Sequence, residues 1–243
     1  MSRLSRLRRR FIRPLWMETL EDRSTPALAY GITGGNTLIS FDTATPTAIV
    51  STPITTLGAN ETIRGIDFRP LTGQLYALGI TDPGAADNEG RIYTLDTATG
   101  KLTQVGSTPF ASDLTDGANY GFDFNPASGG LRVVNDADQN RRVNPNTGVQ
   151  VMADGNITVT SEIVAVGYDR DFNGTTVTTL FGIDAATDKL VTVGSMNGAP
   201  NSPDTGIVTD IGLLGITLTN NESGFDTAFT NGADSAFLSA TVG

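Results

Sequence analysis

From Leu28 onward, apolar and polar residues alternate in short runs such as Leu38-Ile39-Ser40-Phe41, Gln74-Leu75-Tyr76-Ala77-Leu78 and Leu131-Arg132-Val133-Val134. Runs this short, with a period near two and many β-branched or aromatic members, predict β-strands; no stretch holds the 3.6-residue period of an amphipathic helix. The 28 glycines, with frequent Asn, Asp, Ser and Thr, fall between the runs and supply tight turns. The pattern is that of an all-β chain.

Two motifs organise the strands. The first is a strand carrying an aromatic or aliphatic residue before Asp: Gly65-Ile66-Asp67-Phe68, Gly121-Phe122-Asp123-Phe124 and Gly167-Tyr168-Asp169, with a degenerate Gly215-Ile216-Thr217. Third positions at 67, 123, 169 and 217 give a spacing close to the roughly 40–50 residues of a propeller blade. The second motif is a hairpin: Phe41-Asp42-Thr43-Ala44, Leu95-Asp96-Thr97-Ala98-Thr99-Gly100, Val143-Asn144-Pro145-Asn146-Thr147-Gly148 and Ile183-Asp184-Ala185-Ala186-Thr187-Asp188. In each, the Asp or Asn leaving a strand is placed to accept backbone N–H bonds from the turn that follows.

A unit of strand, turn, strand, loop, strand, Asx turn, strand is one antiparallel blade, and blades bury their faces only by stacking on one another. The expectation is a β-propeller-like array of about five four-stranded antiparallel blades over 28–243. It begins part-way through a unit at Leu28-Ala29-Tyr30-Gly31-Ile32 and ends part-way through another at Gly224-Phe225-Asp226 and Ala236-Phe237-Leu238. Joining the two partial blades would close the ring; a missing final hairpin would leave it open.

The run from Gly121-Phe122-Asp123-Phe124-Asn125-Pro126 through Leu131-Arg132-Val133-Val134-Asn135-Asp136 to Asn140-Arg141-Arg142-Val143-Asn144-Pro145 resembles the signature of the bacterial family known as domain of unknown function 4394. Tyr30-Gly31-Ile32-Thr33 and Thr179-Leu180-Phe181-Gly182-Ile183-Asp184 are similar too. The resemblance implies a propeller-like extracellular domain, often joined to larger surface proteins, with no assigned activity or functional residues. It also implies a further hairpin beyond the point matching Gly243.

Charge is unevenly distributed. Seven Arg and three acids give residues 1–25 a net +4, and the chain beyond Arg23 carries −14. So acidic a body repels phosphate backbones, which argues against a nucleic-acid partner. Residues 1–27 read as a basic export or processing leader: Leu20-Glu21-Asp22-Arg23 followed by Pro26-Ala27 resembles a leader of exported bacterial surface proteins. The uninterrupted apolar core of a secretory signal is missing, because Arg13, Pro14, Glu18, Glu21 and Asp22 break every run. No segment approaches the roughly 18 apolar residues of a membrane span. The location expected is secreted or cell-surface.

With neither Cys nor His in the chain, disulfides, thiolate chemistry, the usual zinc sites and His-based triads are excluded. Asp169-Arg170-Asp171-Phe172-Asn173-Gly174 matches the start of a calcium loop, so Asp169, Asp171 and Asn173 are candidate ligands for a hard cation. Position twelve of that loop is Leu180, where an EF-hand needs Glu, and a solvated turn fits the same residues. Asn135-Asp136-Ala137-Asp138-Gln139-Asn140 also concentrates oxygens, but without the glycine. Asp67, Asp123 and Asp169 recur at matching blade positions; recurrence favours a structural bond made once per blade over one asymmetric catalytic pair. Arg132, Arg141 and Arg142 fit either an anion site or surface pairing with neighbouring Asp. Phe68, Tyr76, Tyr93, Phe122, Phe124 and Tyr168 are expected in the core.

The function expected is a non-catalytic binding or scaffold module for an extracellular or cell-envelope ligand, needing no cofactor. A carboxylate-dependent carbohydrate-active enzyme and a calcium-stabilised structural repeat are the alternatives. An enzyme of that kind needs two carboxylates, unmatched by the repeat, facing each other across a pocket at roughly 5–10 Å.

Overall fold

The computed structural model describes residues 27–34, 36–81, 88–115, 118–158 and 160–243, so the basic leader lies, but for Ala27, outside the described residues. Five antiparallel sheets follow one another along the chain. β1 (Leu28–Thr33), β2 (Thr37–Asp42) and β3 (Val50–Pro53) form the first. β4 (Glu61–Phe68), β5 (Leu75–Thr81), β6 (Asn88–Leu95) and β7 (Leu102–Gln104) form the second, with β8 (Ala111–Leu114) continuing along the edge of β6 beyond β7. The third is β9 (Tyr120–Phe124), β10 (Leu131–Asn135), β11 (Asn140–Asn144) and β12 (Val149–Ala153). The fourth is β13 (Ile163–Tyr168), β14 (Leu180–Asp184), β15 (Lys189–Val193) and β16 (Val208–Leu213); β17 (Leu218–Thr230) and β18 (Ala233–Val242) make the fifth. The all-β propeller-like array is thus present, with three sheets of at least four strands between shorter ones.

Apolar burial lies between sheets, as stacking requires. Leu38, Ile63, Leu75, Leu95 and Leu102 join the first sheet to the second. Tyr76, Ile92, Leu114, Phe122, Phe124 and Leu131 join the second to the third. Val134, Ile163, Tyr168, Leu180 and Val191 join the third to the fourth, and Val164, Ile183, Phe225 and Leu238 the fourth to the fifth. None of these clusters joins the fifth sheet to the first. The expected core aromatics are buried, Phe68 only partly.

All four Asx hairpins form as the residues predict. Asp42, Asp96, Asn144 and Asp184 each accept the N–H two residues on, at 2.8–3.1 Å. Asp96 and Asn144 turn the third strand of their sheets into the fourth, whereas Asp42 and Asp184 turn the second into the third. The motif is a local turn code and does not mark a fixed place in the blade.

Two of these turns also wedge against the preceding sheet. Gly100 (φ 68°) sits where a Cβ would lie 2.1 Å from the Pro53 carbonyl oxygen, and Gly148 (φ 66°) where it would meet that of Val105 at 2.1 Å. Gly148→Ala therefore combines left-handed strain of roughly 1–2 kcal/mol with overpacking of about 1–3 kcal/mol. Urea denaturation should show a loss of at least about 2 kcal/mol, exceeding the strain of roughly 1–2 kcal/mol alone that is expected for Gly34→Ala, where φ is also positive but nothing lies within 4 Å.

Register corrects the alignment of the first motif. Phe68, Phe124 and Tyr168 pair with Leu75, Leu131 and Leu180, and the next residues, Arg69, Asn125 and Asp169, donate to Gln74, Gly130 and Thr179. Asp169 therefore matches Arg69 and Asn125, and the place of Asp67 and Asp123 falls to Gly167. A Cβ there would press on the Phe225 ring at 3.0 Å and approach the Asp226 Cα at 3.5 Å, so glycine admits β17 to the axis. Gly215-Ile216-Thr217 is not a leading strand; Gly224-Phe225-Asp226, within β17, is.

Candidate axial carboxylate site

The leading strands β4, β9, β13 and β17 pack side by side. Three of them bring Asp67, Asp123 and Asp226 together, with one carboxylate oxygen of each within 4.8 Å of the others. Asp67 and Asp123 are buried and Asp226 is exposed. Two of the three latch neighbouring blades: Asp67 Oδ2 accepts the Phe124 N–H at 2.7 Å, and Asp123 Oδ1 the Tyr168 N–H at 3.1 Å. β17 is tied to the same place by Thr227, whose hydroxyl donates to the Tyr168 carbonyl at 2.6 Å.

Electrostatics sets the state of this cluster. Burial, and then the negative charges of Asp226 and Asp171, hold the Asp67 carboxyl well above the usual range despite its backbone hydrogen bonds. Burial and the carboxylates of Asp67, Asp226 and Asp171 do the same to Asp123. Asp226 stands at about 6: although the residue is exposed, its carboxyl is hemmed in by protein atoms, and the N–H of Thr227 only partly offsets this. Asp171 is raised to about 7 by desolvation and by Asp226 and Asp234. Near neutrality so many carboxylates so close keep protons or hold a cation. Oxygens at 4.8 Å or less suit a calcium ion, whose ligands lie at roughly 2.3–2.6 Å.

The predicted calcium loop is placed differently for each of its residues. Asp169 is buried and its Oδ1 accepts from the Thr179 N–H at 2.6 Å and the Thr178 hydroxyl at 3.1 Å, with the Arg170 guanidinium 3.0 Å away. Asp171 is drawn into the field of the axial acids, and Asn173 is exposed. The Asn135–Asn140 run is a turn held by amides: Asn135 and Gln139 share three hydrogen bonds, and Asp136 accepts from Asn119. The signal that identifies Asp226 was in the sequence, since Gly224-Phe225-Asp226 repeats Gly121-Phe122-Asp123 more closely than Gly167-Tyr168-Asp169 does.

Arg132, Arg141 and Arg142 pair with Asp as one of the two readings had it, but the central pair is not on the surface. Arg132 and Asp154 have side chains 3% and 2% exposed and meet at 3.1 Å. Arg132 also reaches Asp204 (2.6 Å), Asn140 (2.5 Å) and Tyr168 Oη (2.9 Å), while Arg142 grips both oxygens of Asp154 at 2.8 Å. Arg141 pairs with exposed Asp113 at 2.9 Å.

A second feature escaped sequence reasoning. Buried Glu61 of β4 accepts the Tyr93 hydroxyl on both oxygens, at 2.8 and 2.9 Å, and the Gly58 N–H at 2.9 Å. Gly79 makes room, since a Cβ there would lie 2.5 Å from Glu61 Oε1 and 2.7 Å from the Tyr93 ring. The pair lines a cleft of about 540 Å³ with Thr56, Thr81, Arg91 and Gln104, and Glu61 is the one carboxylate among the described lining residues. Nothing local announces residues 32 apart in sequence as partners.

No helix among the described residues is long and apolar enough to cross a membrane. No curated protein matches the chain. A family model described as domain of unknown function (DUF4394) matches residues 37–243, spanning every sheet but the first strand, and with blade motifs, register and match in agreement the chain belongs to the DUF4394 family.

Proposed function

We propose that this protein is a non-catalytic binding and scaffold module of the cell surface or extracellular space. The observation that carries the reading is the use made of the axial acids: they stand at matching blade positions and two of them bond backbone amides of the next blade. A glycosidase of the two-carboxylate type needs an asymmetric pair across a pocket, whereas among its described residues the cleft of the second sheet offers Glu61 alone, already held by Tyr93 and Gly58. That cleft is the place for a small polar ligand. A glycan and cell-envelope binding screen on the full chain, with Arg91→Ala as the comparison, tests this. Retained binding by the variant would move the site elsewhere, and turnover of any bound glycan would overturn the non-catalytic reading.

The axial geometry supports a second reading, stabilisation by calcium. Calcium bound at a hundredfold excess over its Kd should add about 2.7 kcal/mol to stability. The melting temperature at pH 8 should rise with calcium and fall back with chelator; no response in either direction removes this reading.

A further inference from the structure

Four Asn-x-Ser/Thr tripeptides stand in the chain, at Asn60, Asn156, Asn173 and Asn221, and this is the acceptor pattern for N-linked glycans on secreted proteins. The bacterial form of the pattern adds an acid two residues upstream. Asp154-Gly155-Asn156-Ile157-Thr158 and Asp171-Phe172-Asn173-Gly174-Thr175 satisfy it, whereas Gly58 and Thr219 hold that place before Asn60 and Asn221. A folded chain can be modified only where such a segment leaves its neighbours and enters the cleft of an enzyme, so the ties at each site decide which one serves.

Three of the four are tied down. Asp154 is buried between Arg132 and Arg142, Ile157 is 1% exposed, and Gly155 and Thr158 donate backbone bonds to Asp204 and Gly206. Asn60 is followed by buried Glu61 and by Thr62, which pairs with Ile80 across β4 and β5. Asn221 lies within β17 and its amide donates to Asp136 and Glu162. The loop from β13 to β14 differs. Asn173 and Gly174 are exposed, and the side chains of Asp171 and Asn173 make no hydrogen bond or ion pair among the described residues. Thr175 bonds within the loop, its N–H to Phe172 and its hydroxyl to Val177. The Phe172 ring, 4.6 Å from that of Phe229, rests on the neighbouring hairpin, while Asp226 and Asp234 of that hairpin repel Asp171.

We propose that Asn173 carries an N-linked glycan, received from a polyprenyl-diphosphate oligosaccharide through an oligosaccharyltransferase. The proposal rests on the extracellular reading of the domain. Asn173 Nδ2 forms a bond to C1 of the first sugar, and the bond from C1 to the diphosphate oxygen breaks. The polyprenyl diphosphate leaves with that electron pair, and the amide proton passes to a base of the enzyme. Asp171 supplies the upstream carboxylate, and Thr175 the downstream hydroxyl once it is released from Val177.

The test is transfer in solution to the folded full chain by a purified bacterial oligosaccharyltransferase supplied with its polyprenyl-diphosphate oligosaccharide. Intact mass should rise by one glycan, and peptide mass spectrometry should place it on Asn173. Asn173→Gln should abolish the gain and Thr175→Ser should keep it. Asp171→Ala should slow transfer at least about tenfold, as expected for one lost charge-assisted contact. Synthetic peptides of residues 152–160 and 169–177 should both accept, which shows that the fold does the selecting; where a variant unfolds, the 169–177 peptide with the same substitution decides. No transfer to the folded chain, transfer to Asn156 in it, or a gain retained by Asn173→Gln would each overturn the proposal. Because the enzyme is supplied, this outcome is independent of where the protein resides. Fractionation of the native cells reads that separately, and a chain found only in the cytoplasm would overturn the extracellular reading instead.

Discussion

Arg132→Met should lower the unfolding free energy by about 3–5 kcal/mol, a drop in melting temperature of roughly 10 °C for a chain of this size. The guanidinium reaches Asp154, Asp204, Asn140 and Tyr168, and methionine fills its volume without replacing any of these bonds. Asp154, 2% exposed, keeps only Arg142; leaving buried acceptors and a buried phenol short of partners is what makes the loss large. Tyr168 is also the residue whose N–H the Asp123 latch holds and whose carbonyl anchors Thr227, so the damage should reach the fifth sheet. Chemical denaturation of the variant checks it: a loss under about 1 kcal/mol would show that the network merely satisfies itself. Arg142→Met, with the side chain 36% exposed, should cost much less.

Stability should fall as pH rises from about 4 to above 7, against the common trend for an acidic protein. In the unfolded chain the carboxyls of Asp67, Asp123, Asp171 and Asp226 lose their protons near pH 4. In the fold Asp226 keeps its proton to about 6 and Asp171 to about 7, with Asp67 and Asp123 also held high. Within this window the native state binds more protons than the unfolded one, so stabilisation is complete below about pH 4 and is lost as pH passes through 6 and 7. Each proton taken up on folding gives a slope of about 1.4 kcal/mol per pH unit; solvent around Asp171 and Asp226 makes one proton a fair expectation for the group. Asp96, whose carboxyl is pulled down by the Thr99 N–H and hydroxyl, acts only below the window and with opposite sign. Asp226→Asn should flatten the curve and raise stability at pH 8. Calcium should do the same for the unmodified chain if the axial oxygens hold it, and should do nothing for the variant.

What could be read from the residues was whatever local chemistry dictates. An Asp leaving a strand bonds the turn two residues on wherever it stands, so Asp42, Asp96, Asn144 and Asp184 behaved as expected. Alternation likewise placed Tyr76, Phe122, Phe124 and Tyr168 in the core. Relations between sheets were harder to see. The Gly-aromatic-Asp pattern sets Asp169 beside Asp123, whereas strand pairing sets Gly167 there, and only contact with β17 explains why that position must lack a side chain. Surface pairing of Arg132 is a fair reading of composition, but the buried network around it also draws in Asp204 and the turn at 203–205, some fifty residues from Asp154. The Glu61–Tyr93 pair joins the first and third strands of one sheet across a glycine on the second, a relation no short window contains.

Each hairpin glycine that rests on a carbonyl of the preceding sheet also works like a keystone in an arch. A shift at Pro53 has nowhere to go but into the turn at Gly100, and one at Val105 passes to Gly148. Mechanical load on the first sheet is therefore passed to the second and load on the second to the third, and these three sheets should resist force together until one keystone gives way.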